Sequence, residues 1–485
     1  MSFLDSKTWS GKLFTGSWEA GSGGSVDINE PATGEVLGSY SAASVEDVKK
    51  AAAKAAAAQK EWVKIKPEDK AAIFRKAGDL WNEHQEEIVS WIVKEGGSVP
   101  SKAGLEVHTA SEISFLSSSY PYHDMGKVMP SNNDHWNFAR RLPSGVVSVI
   151  SPFNFPLILS IRSVAPALAL GNAVLLKPDP RTVMTGGYII ARIFEEAGLP
   201  EGLLQVMPGG ADVGEAVVTA PEVNVVSFTG STQAGRKVGE LASRHLKRVQ
   251  LELGGNNALI VLPGADVAKA ASAAAFGSFL HQGQICMTTG RHIVHSSIYD
   301  EFVEALGEKA KNLPIGNPAT DQVALGPVID EGQHGKIDAL VQKSVKQGAR
   351  LIAGGPGEGL LYRPTVLADV TAEMAAYADE VFGPVAPVIK FDTVEEAISL
   401  ASANDYGLSL GILGDVGTAM QIADAVPSGI IHINEQTVAD EPNVPFGGVG
   451  LSGNGARFGG ADASIESFTE VQWLTVRPEI APYPF

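Results

Sequence analysis

Val225, Val226, Ser227 and Phe228 form an apolar run, and Thr229, Gly230, Ser231, Thr232, Gln233, Ala234 and Gly235 carry it through a turn of small residues into a helical pattern. A strand leaving through small residues into a helix start is the repeating unit of parallel α/β proteins. The alternation extends in both directions. Upstream lie strand-like runs at 145–151, 173–177 and 204–207, helical patterns near 185–197 and 212–220, and the quoted strand itself at 223–229. Downstream, a second block from 253 to 433 repeats the theme with strands at 257–262, 292–295, 386–391, 409–413 and 429–433. Parallel strands need crossovers about as long as these helices, so the predicted fold is α/β with doubly wound sheets. Ligands on such sheets sit at the carboxyl ends of the strands.

The flanks differ. Ser44 followed by early acids and an Ala-rich run predicts a capped helix over 44–59, and helical patterns continue over 67–95 and 102–118. Residues 126–134 are rich in Gly, Pro, Ser and Asn and 137–142 are strand-like, which suits an extended arm leaving the body.

Composition narrows the function. The 485 residues carry 37 Lys plus Arg against 55 Asp plus Glu, a net charge of -18 that opposes nucleic acid and anionic membranes. No basic segment followed by an apolar run opens the chain and no long apolar stretch follows, so a cytoplasmic location without a secretory signal is expected. The ten histidines show no metal-ligand spacing, and no catalytic metal is expected.

Chemistry enters with one cysteine, Cys286, preceded by Phe279, Leu280, His281, Gln282, Gly283, Gln284 and Ile285. A single thiol makes no internal disulfide or zinc site, which leaves inert core filler or a nucleophile. Glu252, leading directly into Gly254 and Gly255 by way of Leu253, offers a base whose surrounding backbone a ligand can approach closely. Lys177 ends an apolar strand before Pro178 and Pro180, where an amine reaches ribose or phosphate oxygens. Asn154, held between Pro152 and Pro156, could donate to an oxyanion, although on its own a structural turn is the better account. Ser231 stands where a helix N-terminus suits a phosphate, and an ordinary cap explains the same residues. The loops Glu380–Phe382–Pro384 and Pro445–Phe446–Gly448 combine one aromatic with small residues. No GxGxxG fingerprint is present.

Taken in order, these segments resemble the aldehyde dehydrogenase superfamily over nearly the whole chain, most strongly at 251–255 and 279–286. Within it, 286–291 and 177–181 are similar to the bacterial benzaldehyde and vanillin dehydrogenases. The resemblance implies two doubly wound Rossmann-like units and a small β oligomerisation arm. It places the cofactor-binding domain at 1–118, 144–252 and 443–470, the catalytic domain at 253–442, and the arm at 119–143 and 471–485. A homodimer or homotetramer follows by the same inference. Carried over residue by residue, Cys286 attacks the aldehyde, Asn154 holds the oxyanion and Glu252 is general base for thioester hydrolysis. Lys177 and Glu380 hold the riboses, Ser231 the pyrophosphate and Leu253 the carboxamide through its backbone. Phe382 lies by the nicotinamide, and Ser151, Phe153, Gly209 and Gly230 complete the cofactor site. Phe153 replaces the family's usual tryptophan.

Pro180 stands where NAD-selective members carry a glutamate, and Arg181 beside it could favour a 2′-phosphate, so NAD and NADP are both expected, with NAD preferred. Phe155 and Phe446 imply a pocket for a flat aromatic aldehyde. A semialdehyde or aliphatic aldehyde dehydrogenase is the alternative, followed by a thioesterase or a scaffold without turnover.

Overall fold

In the computed structural model, which describes residues 2–485, two seven-stranded sheets carry the parallel strands. The first runs Arg248–Glu252, Val223–Thr229, Val146–Ile150, Ala173–Lys177 and Leu204–Val206, all parallel. Leu13–Phe14 and Trp18–Glu19 extend it antiparallel. Chain order moves outward both ways from Val146–Ile150, so the order reverses between that strand and Val223–Thr229. A crevice opens at the carboxyl ends of strands at such a reversal. Ala173–Lys177 is buried throughout, as strands covered on both faces must be.

The second sheet follows the order Arg350–Pro356, Tyr362–Ala368, Val385–Phe391, Thr289–His295, Asn257–Val261, Ser409–Leu413 and Ile430–Ile433, with only the first strand antiparallel. A separate three-stranded antiparallel sheet joins Gly126–Met129, Trp136–Pro143 and Thr469–Val476. It leaves Trp136 63% and Trp473 76% exposed.

Local chemistry explains most boundaries. Ser44 and Asp47 form a reciprocal capping box at the start of the helix Val45–Trp62, with N–H donations of 3.1 and 2.9 Å. The helix expected over 67–95 is two, Pro67–Glu83 and Gln85–Gly96, parted at His84, whose ring stacks on Phe3 at 3.9 Å. The next helix begins at Pro100 because proline is well tolerated at the first helical position. Three elements escape the periodicity. Pro156–Ala169 is a helix buried at every residue, so it shows no polar face. The hairpin Arg350–Pro356/Tyr362–Ala368 is broken by glycines at 354 and 355, and the N-terminal strands are two residues long.

Among the described residues, no helix is long and apolar enough to cross a membrane.

Candidate active site

A cavity of about 340 Å³ opens at the reversal point of the first sheet. Ser151, Phe153 and Asn154 reach it from the end of Val146–Ile150, and Lys177 is the last residue of its own strand. Gly230 and Ser231 follow Val223–Thr229, and Leu253 follows Arg248–Glu252. The second half of the chain supplies Cys286, Glu380 and Phe382. Glu252 itself does not line the cavity, and neither does Gly209. Gly209 packs on Val213, whose Cγ2 would lie 2.5 Å from an added Cβ.

The paired glycines after Glu252 do serve close approach, with the protein's own groups as the visitors. A Cβ on Gly254 would meet Glu380 Oε2 at 2.4 Å, and one on Gly255 would meet the Cys286 carbonyl oxygen at 2.5 Å. The Gly255 N–H donates to Glu380 Oε1 at 2.9 Å, which fixes that carboxylate in the cavity wall.

The loop before the thiol is strained. His281, Gln282 and Gly283 have φ of 47°, 56° and 64°, a left-handed run that costs on the order of 1–3 kcal/mol for each non-glycine residue and persists only if its surroundings impose it. They do. Gln282 Nε2 donates to the Gly97 and Pro327 carbonyls at 2.8 and 2.7 Å. Thr288 Oγ1 donates to the Gly283 carbonyl at 2.9 Å. Asn257 Nδ2 donates to the carbonyls of Cys286 and Thr288, both at 2.8 Å. Asn154 Nδ2 donates to the Gln284 carbonyl at 2.8 Å, joining the amide to the thiol loop. Asn257 was not singled out in the sequence, where its side chain reads as an ordinary strand residue.

Burial governs the charges. Glu252 is fully buried at the end of its strand, neither carboxylate oxygen has a hydrogen-bond partner, and desolvation pushes its pKa up to about 8 against the opposing pull of Arg162. Burial also raises the Cys286 thiol, and the charge of Glu252 is the next largest influence on it. Thiol and carboxyl are therefore electrostatically coupled. Desolvation lowers the Lys177 ammonium and raises the Glu380 carboxyl.

Phe155 and Phe446 do not line this cavity. They pack with Ile285, Met287 and Leu408 in an apolar cluster that also takes in Cys286. Phe446 further borders a second cavity of about 250 Å³ with Ile430 and Asp440. The Arg162 guanidinium lies between the rings of Phe446 and Phe458, 4.7 Å from each, so one face of Phe446 is already occupied. Arg162 Nε and Nη2 are buried without partners.

Arg181 is not free to bind a phosphate. It forms a two-point pair with Asp179, at 2.8 Å for both bonds, donates to Asp330 at 2.6 Å, and stacks 4.2 Å over Phe153. Two carboxylates outweigh its single charge.

Fold and site together define a thiol-bearing α/β protein in which a nucleotide-sized cleft on one side of the cysteine meets an aromatic-lined apolar cluster on the other. The aldehyde dehydrogenase family model matches residues 18–474, and the chain belongs to that family. Over 486 aligned residues, all of both chains, it is 58% identical to a vanillin dehydrogenase of Amycolatopsis sp.. It is 48% identical to a benzaldehyde dehydrogenase [NAD(+)] of Pseudomonas putida, covering 98% of each chain. A salicylaldehyde dehydrogenase from Pseudomonas putida G7, solved in complex with salicylaldehyde, superposes with a TM-score of 0.94 at 34% identity, covering 98% of this chain and 99% of that one.

Proposed function

We propose that the chain oxidises an aromatic aldehyde to the carboxylic acid with NAD or NADP, through a thiohemiacetal and then a thioester on Cys286. The observation that carries this reading is the position of Cys286, shared between the cleft and the aromatic cluster. Relatives named for vanillin, benzaldehyde and salicylaldehyde support the aromatic assignment.

The residues present fit a dinucleotide. Ser231 caps the helix Thr232–Arg244 by accepting the Ala234 N–H, which leaves other first-turn amides for a pyrophosphate. Lys177 Nζ has only a 3.3 Å bond to the Pro178 carbonyl and so keeps donors for ribose oxygens. Glu380 offers an anchored acceptor from the opposite wall. When bound, the nicotinamide supplies the hydride acceptor. The net negative group around Arg181 favours NAD over NADP.

The side-chain amide of Asn154 has two hydrogens, one committed to the Gln284 carbonyl and one left for the oxyanion that forms when sulfur adds to the aldehyde carbon. Once that thiohemiacetal has lost its hydride and become a thioester, a water that surrenders its proton to the Glu252 carboxylate hydrolyses it. A raised Glu252 also lets the neutral acid form exist beside the thiol until pH or ligand binding shifts the proton.

A homodimer or homotetramer is proposed from the apolar arm sheet, whose exposed Trp136, Val471 and Trp473 need cover. A cytoplasmic location is proposed with it, as the compartment that keeps a lone thiol reduced. The test is kcat/KM with each cofactor for benzaldehyde, vanillin and salicylaldehyde against succinic semialdehyde and an aliphatic aldehyde. Aromatic substrates are expected to lead by at least about tenfold, a difference of about 1.4 kcal/mol in transition-state binding. A semialdehyde or aliphatic substrate in first place refutes the aromatic assignment.

A further inference from the structure

Lys102 and Glu106 lie four residues apart on one face of the helix Pro100–Ser117, outside every segment that resembles a catalytic motif. Their side chains are 1% and 0% exposed and their charged ends meet at 2.5 Å. Burying an ion pair costs desolvation that an apolar pair of similar volume avoids, so cohesion alone is a poor reason for it. Apart from one bond to Ser98, its remaining bonds go to one turn. Lys102 Nζ donates to the Asn154 carbonyl at 2.7 Å and to Ser98 Oγ at 3.2 Å, and it sits 4.3 Å over the Phe155 ring. Glu106 Oε2 accepts the N–H groups of Leu157 and Ile158 at 3.0 and 3.3 Å, at the start of the helix Pro156–Ala169. The pair therefore grips the chain on both sides of Phe155, at the backbone of Asn154 and again at two amides beyond it.

The same segment reaches the thiol. The carbonyl of Gly97, next to Ser98, accepts from Gln282 in the left-handed run before Cys286. His281, from that run, packs edge-on to the Phe155 ring at 5.5 Å. Residues 97–106 thus brace the amide and the nucleophile loop from one side.

We propose that Lys102, held by Glu106, is a positioning residue for the reaction: it fixes the Asn154 turn so that the side-chain amide meets the oxyanion formed on addition of Cys286. Without the ammonium the Asn154 carbonyl is a buried acceptor with no donor, and the peptide turns to find one. A displacement of about 1 Å at a catalytic group costs on the order of 10²-fold in rate. Lys102 touches neither substrate nor cofactor and acts through Asn154. This inference rests on the chemistry proposed above for Cys286 and Asn154.

The experiment uses the full-length enzyme with Lys102→Met and with the charge-neutral pair Lys102→Met/Glu106→Gln, each with and without Asn154→Ala. Single-turnover formation of reduced cofactor is measured beside NAD affinity by fluorescence quenching and melting temperature. For the charge-neutral pair, melting within a few degrees of the parent and unchanged NAD affinity are expected, with single turnover slowed about 10- to 100-fold. Adding Asn154→Ala is expected to leave the combined variant within about threefold of Asn154→Ala alone, because both changes disable one device. Rates that multiply instead, or a single turnover unchanged by the loss of Lys102, overturn the proposal. If Lys102→Met alone leaves Glu106 unpaired and unfolds the protein, the charge-neutral pair decides. A parent enzyme that reduces no cofactor with any aldehyde removes the functional reading, and this inference with it, before any variant is compared.

Discussion

Glu252→Gln is the perturbation for which the structure gives both a sign and a size. The carboxyl is fully buried, has no hydrogen-bond partner, and titrates near 8 instead of the 4.5 of a solvated glutamate. If its carboxylate is the base for thioester hydrolysis, about a tenth of the enzyme is competent at pH 7 and about half at pH 8, so deacylation climbs nearly tenfold per pH unit below pH 7 and levels off above about pH 9. Stability runs the other way. A carboxyl whose folded pKa lies above its unfolded value contributes fully below the unfolded value, and that contribution is lost as pH rises through the folded one. The loss spans pH 4.5 to about 8. It amounts to about 5 kcal/mol at about 1.36 kcal/mol per pH unit, or about 5 °C of melting temperature for a chain this long. Glutamine is nearly isosteric and does not ionise. The variant should melt with the parent near pH 5 and above it at pH 9. In stopped flow it should release about one reduced cofactor per subunit and then settle to a steady rate about 10² to 10⁴ lower, without the inflection near 8. A variant that keeps the parent's steady rate, or an inflection at the same pH, refutes the assignment of the base.

Arg162→Met removes the largest charge opposing burial at Glu252, leaving Arg457 and Asp440 as the other charged groups that influence it. The inflection of the kcat profile should move to higher pH, and a profile that stays put disconnects Arg162 from the base. Arg181 is held by Asp179 and Asp330, so kcat/KM with NAD should exceed that with NADP by about tenfold or more. Asp179→Asn/Asp330→Asn should narrow the gap by freeing the guanidinium, and a parent enzyme that prefers NADP contradicts the reasoning. Gly283→Ala should cost about 2 kcal/mol or more and at least tenfold in alkylation of Cys286 by iodoacetamide, because φ is 64° and the added Cβ would lie 2.1 Å from the Gly383 carbonyl. Melting temperature and alkylation rate check this together.

What could be read directly from the sequence was whatever the backbone demands locally. The strands 173–177 and 223–229 announced themselves through β-branched runs, and the small residues after them marked the strand ends where Lys177, Gly230 and Ser231 line the cleft. The fully buried helix Pro156–Ala169 was invisible because burial on every side, Ser160, Arg162 and Ser163 included, erases the period of 3.6 residues. The site residues divide in the same way. Family resemblance pointed to Cys286, Glu252 and Asn154 by their positions on the chain, but the state of each group depends on partners far away in sequence. Arg181 reads as a free cation beside a ribose, and a carboxylate 149 residues on has claimed it. Gly254 and Gly255 read as room for a ligand, and Glu380 and the Cys286 carbonyl fill it. Phe446 reads as a stacking wall, and Arg162 covers one of its faces. Lys102 only opens the helical pattern 102–118, where nothing within ten residues shows that a carbonyl 52 residues on will accept a hydrogen bond from it. Motifs in this chain therefore mark positions along the backbone, while the surroundings of Glu252, Arg181 and the Asn154 turn are set by side chains outside them, the buried Arg162 and Lys102 and the part-exposed Asp330. On the proposed roles, relatives with identical motifs can differ in pH profile, in NAD preference and in rate, and the residues to exchange in testing such differences are Arg162, Asp330 and Lys102 rather than Cys286 and Glu252.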